Sequence, residues 1–309
     1  MTRSGSRVAA DANRDTSVVA IGEVLWDVFP SGPRFGGAPA NFACAIAGLA
    51  PNNVSVAMVS AVGNESLGDD AIESLKRQNV ETKSVTRQRQ QTGQVHISLD
   101  DNGVASYRFA EDCAWDNLVW SDKLAELAKQ TDVVCFGTLG QRSEVSKATI
   151  QQFVRTTPSD CLRIFDINLR PPFYTEAVIR ESLEIANVLK LNDDELPLLA
   201  ELLAIQGDEQ ELVAQIADAA SLDVIALTRG ENGALIFKDG QTSECAGVAT
   251  EVVDTVGAGD AFTAAMVVGL LAGTHIDSIN RHACEVAAFV CSQSGATPRM
   301  PARFTSGDS

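Results

Sequence analysis

The stretch Asp254–Met266, DTVGAGDAFTAAM, sets three small residues, Gly257, Ala258 and Gly259, directly before Asp260 and a long apolar run. A helix start leaves about four backbone N–H groups without intrahelical partners and carries roughly half a positive charge. Glycine and alanine keep that rim open, so an anion can approach the backbone. Asp260 then falls in the first helical turn. A carboxylate there is either an ordinary residue favoured by the helix dipole or a base held beside a phosphate. The stretch by itself leaves both open.

The bulk of the chain narrows the choice. Its 309 residues and 45% apolar content suit one large α/β domain with a small appendage. The net charge of −17 repels nucleic-acid phosphates, so no nucleic-acid partner is expected, and any anionic ligand needs a local source of positive potential. The seven cysteines, Cys44, Cys113, Cys135, Cys161, Cys245, Cys284 and Cys291, include no C-x-x-C and mostly lie in apolar runs, which reads as reduced, buried thiols in a cytoplasmic protein. His96, His275 and His282 lack metal-ligand spacing. The first residues have no apolar signal region, and no stretch has membrane-spanning length, so no membrane association is expected. Residues 1–17 and 305–309 read as tails around one domain, 18–304.

Along that domain, short apolar runs alternate with helical periodicity. VVAIGEVL, VSVAMVSAVG, DVVCFG, LRIFDIN, NVLKLN and DVIALT read as strands, and PANFACAIAGLA and LGDDAIESLKRQ as helices. Nearly continuous apolar strands separated by helices predict a mainly parallel sheet covered on both faces. Gly93–Phe109 breaks the rhythm: two alternating strands flank Asp101-Asn102-Gly103, a strong hairpin signal. Val95, Ile97 and Leu99 share one face and His96, Ser98 and Asp100 the other. Such a hairpin is a lid or an edge extension. Several kinase and dinucleotide motifs are missing. Phe262 stands where a Rossmann fingerprint needs a small residue, and there is no G-x-x-x-x-G-K-[ST] and no H-R-D or D-F-G set.

DTVGAGDAF closely resembles the C-terminal signature of the PfkB, or ribokinase-like, family of carbohydrate kinases. GGAPANFA, Gly36–Ala43, resembles that family's N-terminal signature. The resemblance covers about Val18–Pro301. It implies a three-layer α/β/α ribokinase-like fold with a mainly parallel central sheet and a small β-sheet lid, built from about 28–35 and 93–110. It implies transfer of the ATP γ-phosphate to a primary sugar hydroxyl, with Asp260 as base and the backbone of Gly257, Ala258 and Gly259 as anion hole. Asp27, Gly36, Gly37, Asn41 and Arg170 correspond to sugar-binding positions. Lys190, Asn192, Thr228, Gly230 and Gly233 fall in the nucleotide region.

The N-x-x-E pair Asn192 and Glu195 resembles the family's Mg²⁺-organising motif, acting through water; the same stretch also suits a plain helix N-cap. Asp254, with the carbonyls of Val256, Val290 and Gly295, corresponds to a monovalent-cation (K⁺) site. Arg299 stands where related kinases often carry a serine. GEVLWDVFP, FGGAPANFA, FGTLGQRS and FDINLRPPF are most similar to fructokinases. The D-x-N-x-R pattern of Asp166, Asn168 and Arg170 is shared with 2-keto-3-deoxygluconate kinases, for which Arg108 and Arg170 supply positive charge. A nucleoside kinase has only Tyr107 and Phe109 in the lid for stacking a base. A catalytically inactive sugar-sensing relative is the reading from another class. The exposed lid edge suggests a homodimer through the lid.

Overall fold

The structure is a computed structural model that describes residues 15–30, 32–99 and 105–305. The expected hairpin turn Asp101-Asn102-Gly103 lies outside the described residues, as do residues 1–14 and 306–309 of the expected tails.

The strands are β1 (Thr16–Ile21), β2 (Leu25–Phe29), β3 (Gly32–Gly36), β4 (Val54–Val62), β5 (Glu81–Arg87), β6 (Gly93–Leu99), β7 (Ala105–Phe109), β8 (Val133–Gly137), β9 (Leu162–Asp166), β10 (Val188–Asn192), β11 (Val224–Thr228), β12 (Ala234–Lys238) and β13 (Gln241–Cys245). Nine form one sheet in the order β13-β12-β11-β10-β9-β8-β1-β4-β5. From β11 to β5 all neighbours are parallel; β12 and β13 add an antiparallel edge.

The apolar runs are continuous because both faces of this sheet are covered. Val18 and Ala20 of β1 point into one core, while Val19 and Ile21 point into the other. Val133 and Cys135 of β8 part from Val134 and Phe136 in the same way. The two-residue period of a strand thus feeds two cores at once. One core is closed by the helices Ala38–Leu49, Ser66–Arg77, Ala258–Leu271 and Ile276–Cys291. The other is closed by Asp122–Lys129, Glu144–Thr156, Glu176–Ile185, Glu195–Leu203 and Glu209–Ala220. Helix Ala258–Leu271 is buried from Asp260 to Val268, which explains why it is apolar all round.

The expected strand VVAIGEVL is two strands in two sheets. The chain leaves the main sheet at Gly22, whose φ of +148° no other residue adopts easily, and joins the lid at Leu25. A Cβ at Gly22 would lie 2.8 Å from Pro39 Cγ, so the break is set by a helix packed across it. The main sheet also opens at Thr16, within the stretch expected to be tail; Thr16 N–H donates to the Asn53 carbonyl and Ser17 N–H to Asp132 Oδ2.

The lid is a four-stranded sheet in the order β3-β2-β6-β7. Val95 and Ile97 are buried against Leu25, Trp115 and Leu139, and His96 is exposed, as the alternation predicts.

Candidate active site

Gly257 caps helix Ala258–Leu271 with φ +81°, and a Cβ there would come within 2.6 Å of the Ala296 carbonyl oxygen. Both conformation and space demand glycine, and together they aim the open helix start at the carboxyl edge of the sheet. Asp260 sits one turn in and is buried. Asn41 Nδ2 donates to its Oδ2 at 2.9 Å. Burial lifts the Asp260 carboxyl to about 6; Asp166 adds to the rise, while Lys190, the Asn41 hydrogen bond and Arg170 oppose it. Lys190 Nζ lies 3.0 Å from where a Cβ on Gly259 would be, so the ammonium stands directly behind the helix start.

Lys190 is buried in β10, and its Nζ pairs with Asp166 Oδ1 at 3.2 Å. Burial disfavours the ammonium, but Asp166, Glu195 and Asp260 outweigh it and hold its pKa above the ordinary lysine value. Asp166, the first residue of the D-x-N-x-R pattern, is therefore a buried counter-ion at the end of β9. Glu195 Oε1 accepts from Leu169 N–H at 2.7 Å and Oε2 from Asn192 N–H at 2.8 Å, while Asn192 Oδ1 accepts from Glu195 N–H at 2.9 Å. Both Glu195 oxygens are thus engaged with the backbone. The pair joins β10, the loop after β9 and the next helix.

On the lid side, Asp27 faces the cleft from β2. Burial raises its carboxyl to about 6, opposed first by Arg170. A Cβ on Gly36 would lie 2.9 Å from Asp27 Oδ2, so this glycine makes room for the carboxylate. Gly37 caps helix Ala38–Leu49 at φ +106°, where a Cβ would lie 2.6 Å from the Glu23 carbonyl oxygen. Arg170 is exposed, and its Nη1 donates to the Leu169 carbonyl. Asp27, Gly36, Gly37, Asn41, Arg170 and Asp260 therefore converge on one cleft.

Sequence reasoning missed Glu23 in that cleft. It is 3% exposed, its Oε2 has no partner among the described residues, and burial lifts its pKa to about 7, with Asp260 contributing to the rise. The signal was a lone carboxylate inside the apolar run VVAIGEVL. A small cavity beside it is lined by Glu23, Thr138, Asp166 and Asn168.

Thr228 ends β11, and its hydroxyl donates to the Leu191 carbonyl at 3.3 Å. Gly230, at φ +54°, has nothing near its missing Cβ among the described residues, whereas a Cβ on Gly233 would clash with the Cys245 carbonyl at 2.0 Å. Gly233 is the tight turn into β12, and Gly230 keeps an open surface.

Of the residues expected to hold K⁺, Asp254 and Val290 already have their oxygens engaged by protein donors. Asp254 Oδ1 already accepts from Val256 N–H at 3.1 Å, and Oδ2 accepts from Gly295 N–H at 3.2 Å and from Arg34 Nη1 at 3.1 Å. The Val290 carbonyl accepts from Gln293 N–H.

Comparison with known proteins agrees with the fold. A model described as "pfkB family carbohydrate kinase" matches residues 16–303. The chain is 29% identical to a probable fructokinase-5 of Arabidopsis thaliana, over 92% of this chain and 94% of that one. It is 27% identical to a fructokinase of Salmonella typhimurium, over 84% and 85%. Among solved structures it superposes on an uncharacterized sugar kinase from Pyrococcus horikoshii in complex with ATP, with TM-score 0.77 and 26% identity over 91% and 94% of the two chains. A fructokinase from Xylella fastidiosa gives TM-score 0.80 at 22% identity, over 93% and 95%, a likeness of fold. The chain belongs to the PfkB family of carbohydrate kinases, phosphotransferases that act on an alcohol group.

Proposed function

We propose that this sugar kinase transfers the γ-phosphate of ATP to a primary hydroxyl of fructose. The observation that carries the reading is Asp260: a buried carboxylate one turn into an open helix start, hydrogen-bonded by Asn41 and backed by Lys190. Its raised pKa, about 6, leaves it ionised at neutral pH yet basic enough to draw a hydroxyl proton. As that proton moves to Asp260, the sugar oxygen bonds to the γ-phosphorus, the bond to the β-phosphate oxygen breaks, and ADP leaves. Charge grows on the transferring group, and the N–H groups of Gly257, Ala258 and Gly259 with the Lys190 ammonium are preorganised to meet it.

Asp27 accepts from two sugar hydroxyls. Asn41 Oδ1 is buried without a partner among the described residues and is an acceptor for a third. Thr228, Gly230 and Gly233 bound the nucleotide. Mg²⁺ travels with the phosphates, and Asn192 and Glu195 reach it through its waters. The lid, strands β2, β3, β6 and β7, closes over the sugar and keeps water from the γ-phosphate. The lid sheet ends on β3 and β7, and a second copy pairing along one of these edges is the dimer we propose.

Coupled ADP release with Mg²⁺-ATP, measured across fructose, 2-keto-3-deoxygluconate, ribose and adenosine, tests the assignment. Turnover confined to fructose is the expected result. Turnover on the keto-acid alone would move specificity to Arg108 and Arg170. Turnover on none of them, with ATP bound, would favour the sensing relative.

A further inference from the structure

Arg34 stands on the lid strand β3, opposite Asp27 of β2 in the antiparallel register. Its guanidinium lies over the Phe29 ring, 4.6 Å from the centroid, and leaves the lid to meet Asp254 of the core at 3.1 Å. Asp254 lies on the loop that runs through Thr255 and Val256 to the cap Gly257, and it fastens that loop by accepting the Val256 and Gly295 amides. A single side chain thus spans from the sugar side of the cleft to the base of the helix start that faces the phosphate.

We propose that Arg34 is a built-in cation: it supplies at Asp254 the positive charge that a bound monovalent ion would otherwise supply, and it ties the lid to the loop presenting Gly257, Ala258 and Gly259. Three observations carry this. The Asp254 carboxylate already holds a guanidinium and two amides, so its charge is balanced and most of its acceptor sites are filled. A metal ion against the same oxygens would face the guanidinium as a like charge. The Val290 carbonyl closes the end of helix Ile276–Cys291. Because Arg34 rides on the lid and Asp254 on the core, the pair forms only while β3 lies against the loop. Charge neutralisation at Asp254 is then coupled to lid closure and not to salt composition.

The inference rests on the sugar-kinase reading of this cleft. The test compares sugar phosphorylation in K⁺ and in tetramethylammonium at equal ionic strength, for the intact protein, Arg34→Ala and Arg34→Lys. The same set is followed by thermal melting in the two salts. The intact protein and Arg34→Lys are expected to run equally fast in both salts, within about twofold. Arg34→Ala is expected to run about fivefold faster in K⁺, the upper range for a half-exposed ion pair, and to melt higher in K⁺. Fivefold activation of the intact protein by K⁺ would overturn the proposal. So would an Arg34→Ala protein whose rate and melting are indifferent to K⁺. A protein that turns over no sugar in either salt would sink the sugar assignment, and the melting comparison would still decide the role of Arg34.

Discussion

Replacing Asn41 with alanine isolates one interaction of the proposed base. Asn41 is 4% exposed, and its Nδ2 donates to Asp260 Oδ2 at 2.9 Å. A hydrogen bond to a charged group contributes about 1.5–3 kcal/mol, and about 1.4 kcal/mol corresponds to one pH unit. The donor stabilises the carboxylate and not the acid, so its loss raises the Asp260 pKa. From a value of about 6, the expected rise of about one to two pH units puts the variant between about 7 and 8. A base works only when ionised. The acid limb of kcat/KM, which reports the free enzyme, should therefore move up by that amount, with the ionised fraction about 5- to 50-fold below wild type near pH 6 and recovery toward pH 9. Coupled ADP release at sub-saturating sugar and saturating ATP from pH 5 to 9 reads this directly. The free Oδ1 of Asn41 predicts a separate rise in sugar KM that does not depend on pH. A profile merely scaled down, with its acid limb unmoved, would refute the reasoning, because Asn41 would then act on the substrate or the fold and not on Asp260.

Asp260→Asn should lower kcat by about 10²–10⁴-fold while sugar affinity, read by calorimetry, is kept; near-wild-type turnover would send the proton elsewhere. Glu23 is buried, and its carboxyl rises from 4.5 to about 7 on folding, so the fold prefers the protonated acid; this contribution is complete below pH 4.5 and lost as pH rises through 7. At about 1.4 kcal/mol per pH unit the loss is about 3 kcal/mol, and Glu23→Gln should flatten the fall in urea midpoint between pH 5 and 8; an equally steep fall in the variant would show that Glu23 is not its source. Gly257→Ala places a Cβ 2.6 Å from the Ala296 carbonyl oxygen at φ +81° and should cost about 1–3 kcal/mol of stability, with kcat falling more than sugar affinity; an unchanged melting temperature would show that this turn relaxes freely.

What could be read from the chain alone was whatever is local. Val18–Ile21 and Val133–Phe136 announce strands buried on both faces because each run carries its own evidence, one apolar residue after another. The helix start at Gly257–Asp260 announces anion chemistry for the same reason: the open backbone and the carboxylate are neighbours in sequence. The division of VVAIGEVL into two sheets was not legible, because β-branched residues stand on both sides of Gly22 and the break is imposed by Pro39 from another element. Lys190 in NVLKLN could be seen as a charge in a strand, but its counter-ion Asp166 belongs to β9, the neighbouring strand.

The same distinction separates the chemistry of the cleft from its tuning. The proposed base, the open helix start and the proposed sugar carboxylate are each carried by a short motif. Asn41, which with Lys190 restrains the pKa of the proposed base, lies 219 residues from Asp260, and the cation on Asp254 lies 220 residues away. In both pairs an N-terminal segment next to the lid meets the loop and helix near the C-terminus. A substitution in β3 or in helix Ala38–Leu49 therefore acts on the helix-start side of the cleft without touching the DTVGAGDAF motif. A relative could keep every letter of that motif and still shift the pH and salt dependence of its rate. Those two dependences, more than the motif, are where members of this family with the same fold are expected to differ.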